Sequence, residues 1–102
     1  SQVPKFRQLS KYPSINRDLA VVVDKSLNWQ QIKDEVLKIS PLIQNIEPFD
    51  VFLGQSIGDN KKSIAFHLEF RSDDRTLLAE DIDKIMENIA EILQKKFQAV
   101  RR

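Results

Sequence analysis

The pattern of apolar and polar positions predicts three strands. The alternation is strictest from Ser63 to Arg71. One face of this segment carries only apolar side chains: Ile64, Phe66, Leu68 and Phe70. Such a strand meets a core on one side and water or a partner on the other. The run from Asp18 to Asp24 is β-branched and apolar on both faces, as is typical of a central strand. A third strand, Ile43 to Leu53, is interrupted at Pro48, which sheets accept at an edge or a bulge.

Two segments have the three-and-four spacing of amphipathic helices. The first, Leu27 to Ser40, has Asn28 and Gln31 at the positions of a capping box, and Pro41 follows its end. Its apolar stripe consists of Trp29, Ile32, Val36 and Ile39. The second helix is expected from Leu78 to Gln94, with Leu78 where a capping Ser, Thr or Asp would be usual. Its stripe consists of Ile82, Ile85, Met86, Ile89 and Leu93.

A short last strand at Lys96–Arg101 completes the order strand, helix, strand, strand, helix, strand. Two crossover helices on one face of a four-stranded antiparallel sheet form a ferredoxin-like βαββαβ sandwich of the α+β class. In that topology the first and third strands are central, which agrees with their patterns. Residues 1–14 contain Pro4 and Pro13, so we expect an extended arm there and the folded domain at residues 15–102.

Composition limits the class of protein. A chain of 102 residues that is 41% apolar is expected to form one domain with one core. The absence of Cys excludes a disulfide scaffold and thiolate metal sites, and it fits a reducing compartment. The longest apolar run, Leu19–Val23, is too short to span a bilayer. We therefore expect a cytoplasmic protein, and the initial Ser suggests a piece of a longer chain.

The net charge of +1 conceals an uneven distribution. Residues 1–17 and the last eight residues each carry four basic side chains and no acid. Residues 78–93 carry five acids against Lys84 alone. Basic ends beside an acidic middle can steer a polyanion to one side of a small domain. Solvated helix surfaces and basic termini are an equally ordinary source of this pattern.

The sheet face without helices is the candidate site. Its expected members are Asp18, Ala20, Val22, Asp50, Phe52, Ser63, Ala65, His67 and Glu69. In the second strand, Asp50 and Phe52 alternate with Phe49, Val51 and Leu53. Small residues around one aromatic form a platform on which a base can stack while side chains bond its edge. The same apolar positions also suit a protein interface, with Phe52 under the arm, a neighbouring domain or a second copy.

Candidate catalytic groups are few. His67 is the sole histidine of the sequence and shares its strand face with Glu69. A solvated histidine beside a carboxylate and a general base are both consistent with that position. Gly54 and Gly58 are the sole glycines, so the chain lacks a glycine-rich phosphate loop. A small hydrolase would need such a loop to bind phosphate, so this function is disfavoured.

Four segments, in this order, resemble the ferredoxin-fold anticodon-binding domain that ends the β subunit of bacterial phenylalanyl-tRNA synthetases. They read KYPSINRDLAVVV at residues 11–23, FDVFLG at 49–54, KKSIAFHL at 61–68 and RTL at 75–77. The resemblance extends from about Phe6 to Arg102, which is nearly the whole chain.

The resemblance implies a domain that does no chemistry itself and holds the anticodon stem-loop of phenylalanine tRNA. Aminoacylation by the parent enzyme would occur in a distant module. No cofactor is implied here, and ATP and Mg²⁺ would belong to the parent. The implied partners are that tRNA, the rest of the β subunit and the α subunit, with no membrane. The alternative is a protein–protein or regulatory ferredoxin-like domain that dimerises through its open sheet face.

The resemblance also assigns individual roles. Phe52 would stack on an anticodon base, Ala20 would leave room for that base, and Ser63 would bond its edge. Phosphates would meet basic residues near strand ends: Arg17, Lys61 and Lys62. Many members have Tyr where this chain has Phe52. The phenylalanine can still stack on a base, but it lacks the hydroxyl that would form a hydrogen bond.

Overall fold

The order of secondary-structure elements agrees with the sequence patterns. A computed structural model describes residues 12–54 and 58–102. The elements are β1 (Ile15–Asp24), α1 (Trp29–Leu37), β2 (Ile43–Phe52), β3 (Lys61–Phe70), α2 (Ala79–Phe97) and β4 (Val100–Arg101). The strands form one antiparallel sheet in the order β2-β3-β1-β4, so the first and third are central. The ferredoxin-like α+β class is therefore confirmed. Of the predicted arm, residues 1–11 lie outside the described residues.

The core lies between the sheet and the two helices. The apolar faces of β1 and β3 are buried there, and seven of their side chains are at most 4% exposed: Leu19, Val21, Val23, Ile64, Phe66, Leu68 and Phe70. Helix α1 adds Ile32 and Val36, and α2 adds its buried stripe of Ile82, Met86, Ile89 and Leu93. Trp29 packs against Phe66 with ring centroids 5.3 Å apart. Burial of one face of each central strand leaves its alternate side chains on the opposite face of the sheet.

The end of α2 differs from the prediction. The helix continues to Phe97, three residues past Gln94, so the last strand is Val100–Arg101 instead of Lys96–Arg101. Gln98 ends the helix with a left-handed backbone, φ 56°, and its N–H donates to the carbonyl of Gln94 at 2.9 Å. Glycine is the usual residue in this conformation, so a glutamine there leaves no signal in the sequence.

The two helices begin differently. At α1 the predicted capping box is present: the Gln31 N–H donates to Asn28 Oδ1 at 3.1 Å, and the Asn28 N–H donates to Gln31 Oε1 at 3.2 Å. At α2 the capping position is Leu78, an exposed residue with extended backbone and no polar side-chain atom. The first-turn acids Glu80 and Asp81 interact favourably with the helix dipole, but no side chain forms a capping hydrogen bond at Leu78.

A carboxylate joins the two helices. Glu35 on α1 lies 3.1 Å from Lys38 Nζ and 3.6 Å from Lys96 Nζ on α2. The hydrogen bond from Lys38 is the largest effect and lowers the pKa of Glu35; burial acts in the opposite direction, and the charges of Lys38 and Lys96 lower the pKa further, so that the net shift is downward. The Glu35 side chain is 17% exposed, so this bridge lies close to the helix–helix contact.

Neither α1 nor α2, the helices of the described residues, is apolar and long enough to cross a membrane.

Replacing Leu78 by Ser is expected to raise the free energy of unfolding by about 1 kcal/mol, because the hydroxyl can accept a hydrogen bond from the first turn of α2. Asn28→Ala at the other helix should lower it by a similar amount. Urea unfolding of both variants measures the two changes. An unchanged or lowered stability for Leu78→Ser would show that the α2 cap is not limiting.

Glu35→Gln is expected to destabilise the domain near neutral pH. The pKa of Glu35 is lower in the folded state, so its contribution is present above the ordinary carboxyl pKa and is lost as the pH falls through the folded-state pKa. The difference between wild type and variant should therefore vanish in acid, as measured by urea unfolding across pH. Glu91→Gln, in the more exposed pair with Lys95, is the control and should have a smaller effect. A difference that stays constant with pH would contradict the electrostatic explanation.

Candidate nucleic-acid interface on the open sheet face

Strand register defines the face opposite the helices, which we call the open face. Cross-strand partners share a face, so the open face can be described row by row. Successive rows on β1, β3 and β2 are Val22, Ser63 and Phe52; Ala20, Ala65 and Asp50; Asp18, His67 and Glu47; and Asn16, Glu69 and Asn45. All nine residues predicted for this face are in these rows.

Phe52, Ser63 and Arg102 meet at one end of the open face, which we call the aromatic end. Phe52 is 43% exposed, whereas Ser63, its partner across the strands, is 3% exposed. The Arg102 N–H donates to the carbonyl of Ala20 at 2.8 Å, so the chain stays paired with β1 just beyond β4. The Arg102 side chain crosses the face: Nη1 donates to Ser63 Oγ at 3.0 Å, and Cζ lies 5.6 Å from the centroid of the Phe52 ring.

Gly54 fixes where the Phe52 ring lies. A Cβ atom added at Gly54 would be 2.9 Å from Cζ and 3.0 Å from Cε2 of Phe52, closer than van der Waals contact allows. The missing side chain therefore lets the ring rest against the backbone two residues ahead. The spacing Phe-x-Gly in the segment FDVFLG thus has a steric reason.

The other end of the open face is acidic. Asp18 and Glu47 lie in one row with His67, and Glu69 lies in the next row between Asn16 and Asn45. A shallow depression at this end is lined by Asp18, Glu47, Pro48, Phe49 and His67. This concentration of carboxylates would repel phosphate groups, whereas Arg102 at the aromatic end would attract them.

His67 contacts Asp18 and Asn16, its neighbours on β1. Its Nδ1 lies 2.7 Å from Asp18 Oδ1, and its Nε2 lies 3.2 Å from Asn16 Oδ1. The carboxylate beside it is therefore that of Asp18 across the sheet, instead of Glu69 on its own strand. Because both ring nitrogens of His67 lie within hydrogen-bond distance of side chains on β1, a structural role for His67 is favoured over a role in proton transfer.

The last residues of β2 and the residue after it carry exposed apolar side chains. The exposed fractions are 60% for Phe49, 56% for Val51 and 56% for Leu53. β2 is an edge strand, and its register shifts between Pro48 and Asp50, at the bulge that the position of Pro48 predicts. The alternation of apolar residues here therefore does not correspond to burial, in contrast to β1 and β3.

Comparison with known proteins places the chain in a family. A model of the ferredoxin-fold anticodon binding domain matches residues 10–102. This chain belongs to the ferredoxin-fold anticodon-binding family. The phenylalanine–tRNA ligase beta subunit of Dehalococcoides mccartyi is 40% identical over 98 residues, which cover 96% of this chain and 12% of that protein.

Other relatives carry the same description. The phenylalanine–tRNA ligase beta subunit of Listeria monocytogenes is 40% identical over 98 residues, covering 95% of this chain and 12% of that protein. The phenylalanine–tRNA ligase beta subunit of Dechloromonas aromatica is 36% identical over 103 residues, which cover 100% of this chain and 13% of that protein. The chain therefore spans about an eighth of the length of these relatives.

In this anticodon-binding domain, the predicted site residues fall into two groups. Phe52, Ala20 and Ser63 come together at the aromatic end, and Lys61 lies beyond Ser63 on the same face, opposite Asp24.

The other two basic residues lie on the helix side of the sheet. Arg17 and Lys62 pair with the buried residues Leu68 and Val23, respectively. Arg17 Nη2 also lies 3.6 Å from Asp83 Oδ1 on α2. The structure therefore does not bring Arg17 and Lys62 to the open face with Phe52.

Arg102 is the residue of this end that the sequence patterns missed. Its charge was evident, but its contacts were not. The predicted strand Lys96–Arg101 stopped one residue short of it. The observed strand also ends at Arg101; Val100 pairs with Val22 on the open face and Arg101 pairs with Val21 on the helix side, so alternation continued by one residue places Arg102 on the open face.

Gly54→Ala is expected to displace the Phe52 ring while changing the free energy of unfolding by no more than about 0.5 kcal/mol. The new methyl group collides with the far end of a flexible, exposed side chain, which can move. The NMR shifts of the Phe52 ring and of the Ser63 amide report the displacement, and urea unfolding reports stability. Unchanged Phe52 shifts would contradict the proposed steric role of Gly54.

Proposed function

We propose that this domain binds the anticodon stem-loop of a phenylalanine tRNA at the aromatic end of its open face. In this proposal the domain does no chemistry and positions the tRNA for aminoacylation elsewhere in a phenylalanine–tRNA ligase. The observation that carries it is the position of Phe52: a 43% exposed ring on the sheet face opposite the helices, beside small side chains and a serine hydroxyl. Membership in the anticodon-binding family supports the same reading.

The aromatic end has the properties that an unpaired base requires. The Phe52 ring offers a stacking surface, and stacking of this kind contributes about 1–3 kcal/mol per base. Ala20 and Ala65 are paired across β1 and β3, so the neighbouring row offers little steric obstruction. The hydroxyl of Ser63 can donate to or accept from a base edge. Single-stranded loops, in which bases are splayed out, are the form of RNA that such a platform recognises.

Charge sets the direction in which the RNA lies. Arg102 and Lys61 are near Phe52, whereas Asp18, Glu47 and Glu69 occupy the opposite end of the face. Phosphates are attracted to the first group and repelled by the second. We therefore place the stem-loop beyond the aromatic end, near the β2–β3 connection, with a loop base reaching in over Phe52.

The rest of the ligase supplies what this chain lacks. The relatives are about eight times longer than the aligned segment, and they are described as beta subunits of the ligase. We propose that this domain belongs to such a β subunit and works together with its remaining domains and with the α subunit. ATP and Mg²⁺ would then be bound outside it, where the aminoacyl adenylate forms.

Phe52→Ala is expected to weaken binding of a phenylalanine-tRNA anticodon stem-loop by about 1–3 kcal/mol, roughly 5- to 150-fold, because the stacking surface is lost. Fluorescence anisotropy or NMR titration of labelled RNA with the 102-residue chain measures the change. Phe49→Ala is the matched control: it removes a phenylalanine of the same strand that is more exposed than Phe52, 60% against 43%, and that lies at the acidic depression, so it should leave binding within twofold.

Equal losses for Phe52→Ala and Phe49→Ala would indicate a general loss of apolar surface and would contradict stacking. Sedimentation of the free chain tests the alternative function. A stable dimer that buries Phe52, Ala20 and Ala65 would occupy the same face and exclude the RNA.

A further inference from the structure

We propose that Arg102 closes the base-binding end in the RNA-free domain and must swing away for a base to enter. This inference rests on the proposed function and concerns how the aromatic end is opened. It starts from a conflict at that end: the two groups assigned to the base, the Phe52 ring and the Ser63 hydroxyl, are both already contacted by one guanidinium.

The space above Phe52 is too small for a base. The guanidinium carbon of Arg102 is 5.6 Å from the ring centroid, within the range of a cation–π contact. A base inserted between the two planar groups would need about 7 Å, since each stacked contact takes about 3.5 Å between carbon atoms. Arg102 therefore cannot form the second wall of a sandwich in this position, and a base has to displace it.

The Ser63 hydroxyl is covered in the same way. Ser63 is 3% exposed although it lies on the open face, and its Oγ accepts a hydrogen bond from Arg102 Nη1 at 3.0 Å. A base edge that bonds to this hydroxyl has to approach from the open face, where the guanidinium lies. One movement of the Arg102 side chain would therefore uncover both the Ser63 hydroxyl and the Phe52 ring.

The movement involves the side chain and leaves the backbone in place. The Arg102 N–H remains bonded to the carbonyl of Ala20 at 2.8 Å, which anchors the residue beside β1. Its side chain has four rotatable bonds, and the two contacts described above, a hydrogen bond and a cation–π contact, hold the guanidinium in place. The displaced guanidinium stays on the RNA side of the sheet, so its charge remains available to a phosphate.

Arg101 is a natural control. It differs from Arg102 by one position, and its guanidinium points to the helix side, where Nη1 lies 3.3 Å from Glu87 Oε2 on α2. A general effect of RNA on arginines near the last strand would affect both residues. Displacement from the aromatic end would affect Arg102 alone.

The experiment compares NMR spectra of the 102-residue chain, free and saturated with a phenylalanine-tRNA anticodon stem-loop. In the free chain we expect nuclear Overhauser contacts between the Arg102 side chain and the Phe52 ring, and also between Arg101 and Glu87. With RNA bound, the first set should be lost and replaced by contacts from Phe52 to a base, while the second set should persist.

Two results would overturn the inference alone: no Arg102–Phe52 contacts in the free chain, or the same contacts retained when RNA is bound and contacts Phe52. Bound RNA that leaves Phe52 and Arg102 unperturbed, or failure of the chain to bind the stem-loop at all, would overturn the proposed function and this inference with it. Loss of both the Arg102 and the Arg101 contacts would also count against it, because it would indicate rearrangement of the last strand.

Discussion

The antiparallel pairing of the two central strands is the constraint on which the rest of the domain depends. It runs without interruption from Ile15 opposite Phe70 to Asp24 opposite Lys61. Because side chains alternate along a strand, this single register sends one set of residues into the core and the other to the open face. A shift of one residue would bury His67 and Glu69 and expose Phe66 and Leu68, so the core and the candidate site are determined together.

The candidate site is built from close contacts around one aromatic ring. The backbone at Gly54 supports the Phe52 ring from one side, and the guanidinium of Arg102 lies against it from another. These two neighbours follow the two edge strands of the sheet: Gly54 comes just after β2, and Arg102 comes just after β4. The position of Phe52 is thus a property of the assembled sheet.

Charge separates the open face into two electrostatically different halves. Asp18, Glu47 and Glu69 collect at one end, whereas Arg102 and Lys61, the latter opposite Asp24, lie at the other, although the chain as a whole is nearly neutral. A small net charge is therefore compatible with directed attraction of a polyanion, because local potentials depend on arrangement. The engagement of His67 by Asp18 and Asn16 belongs to the acidic half and has no evident part in recognition.

The sequence by itself determined the fold class, the two central strands, the capping box of α1 and the membership of the open face. Each depends on periodicity or on residues a few positions apart, and local patterns carry that information. Tertiary structure alone decided the contact of Arg102 with Phe52 and Ser63, and the placement of Arg17 and Lys62 on the helix side. It also decided that Val51 and Leu53 are exposed. These features depend on strand ends, such as the unmarked left-handed turn at Gln98, and on how far the helices cover an edge strand. Both are set by packing between segments distant in the chain.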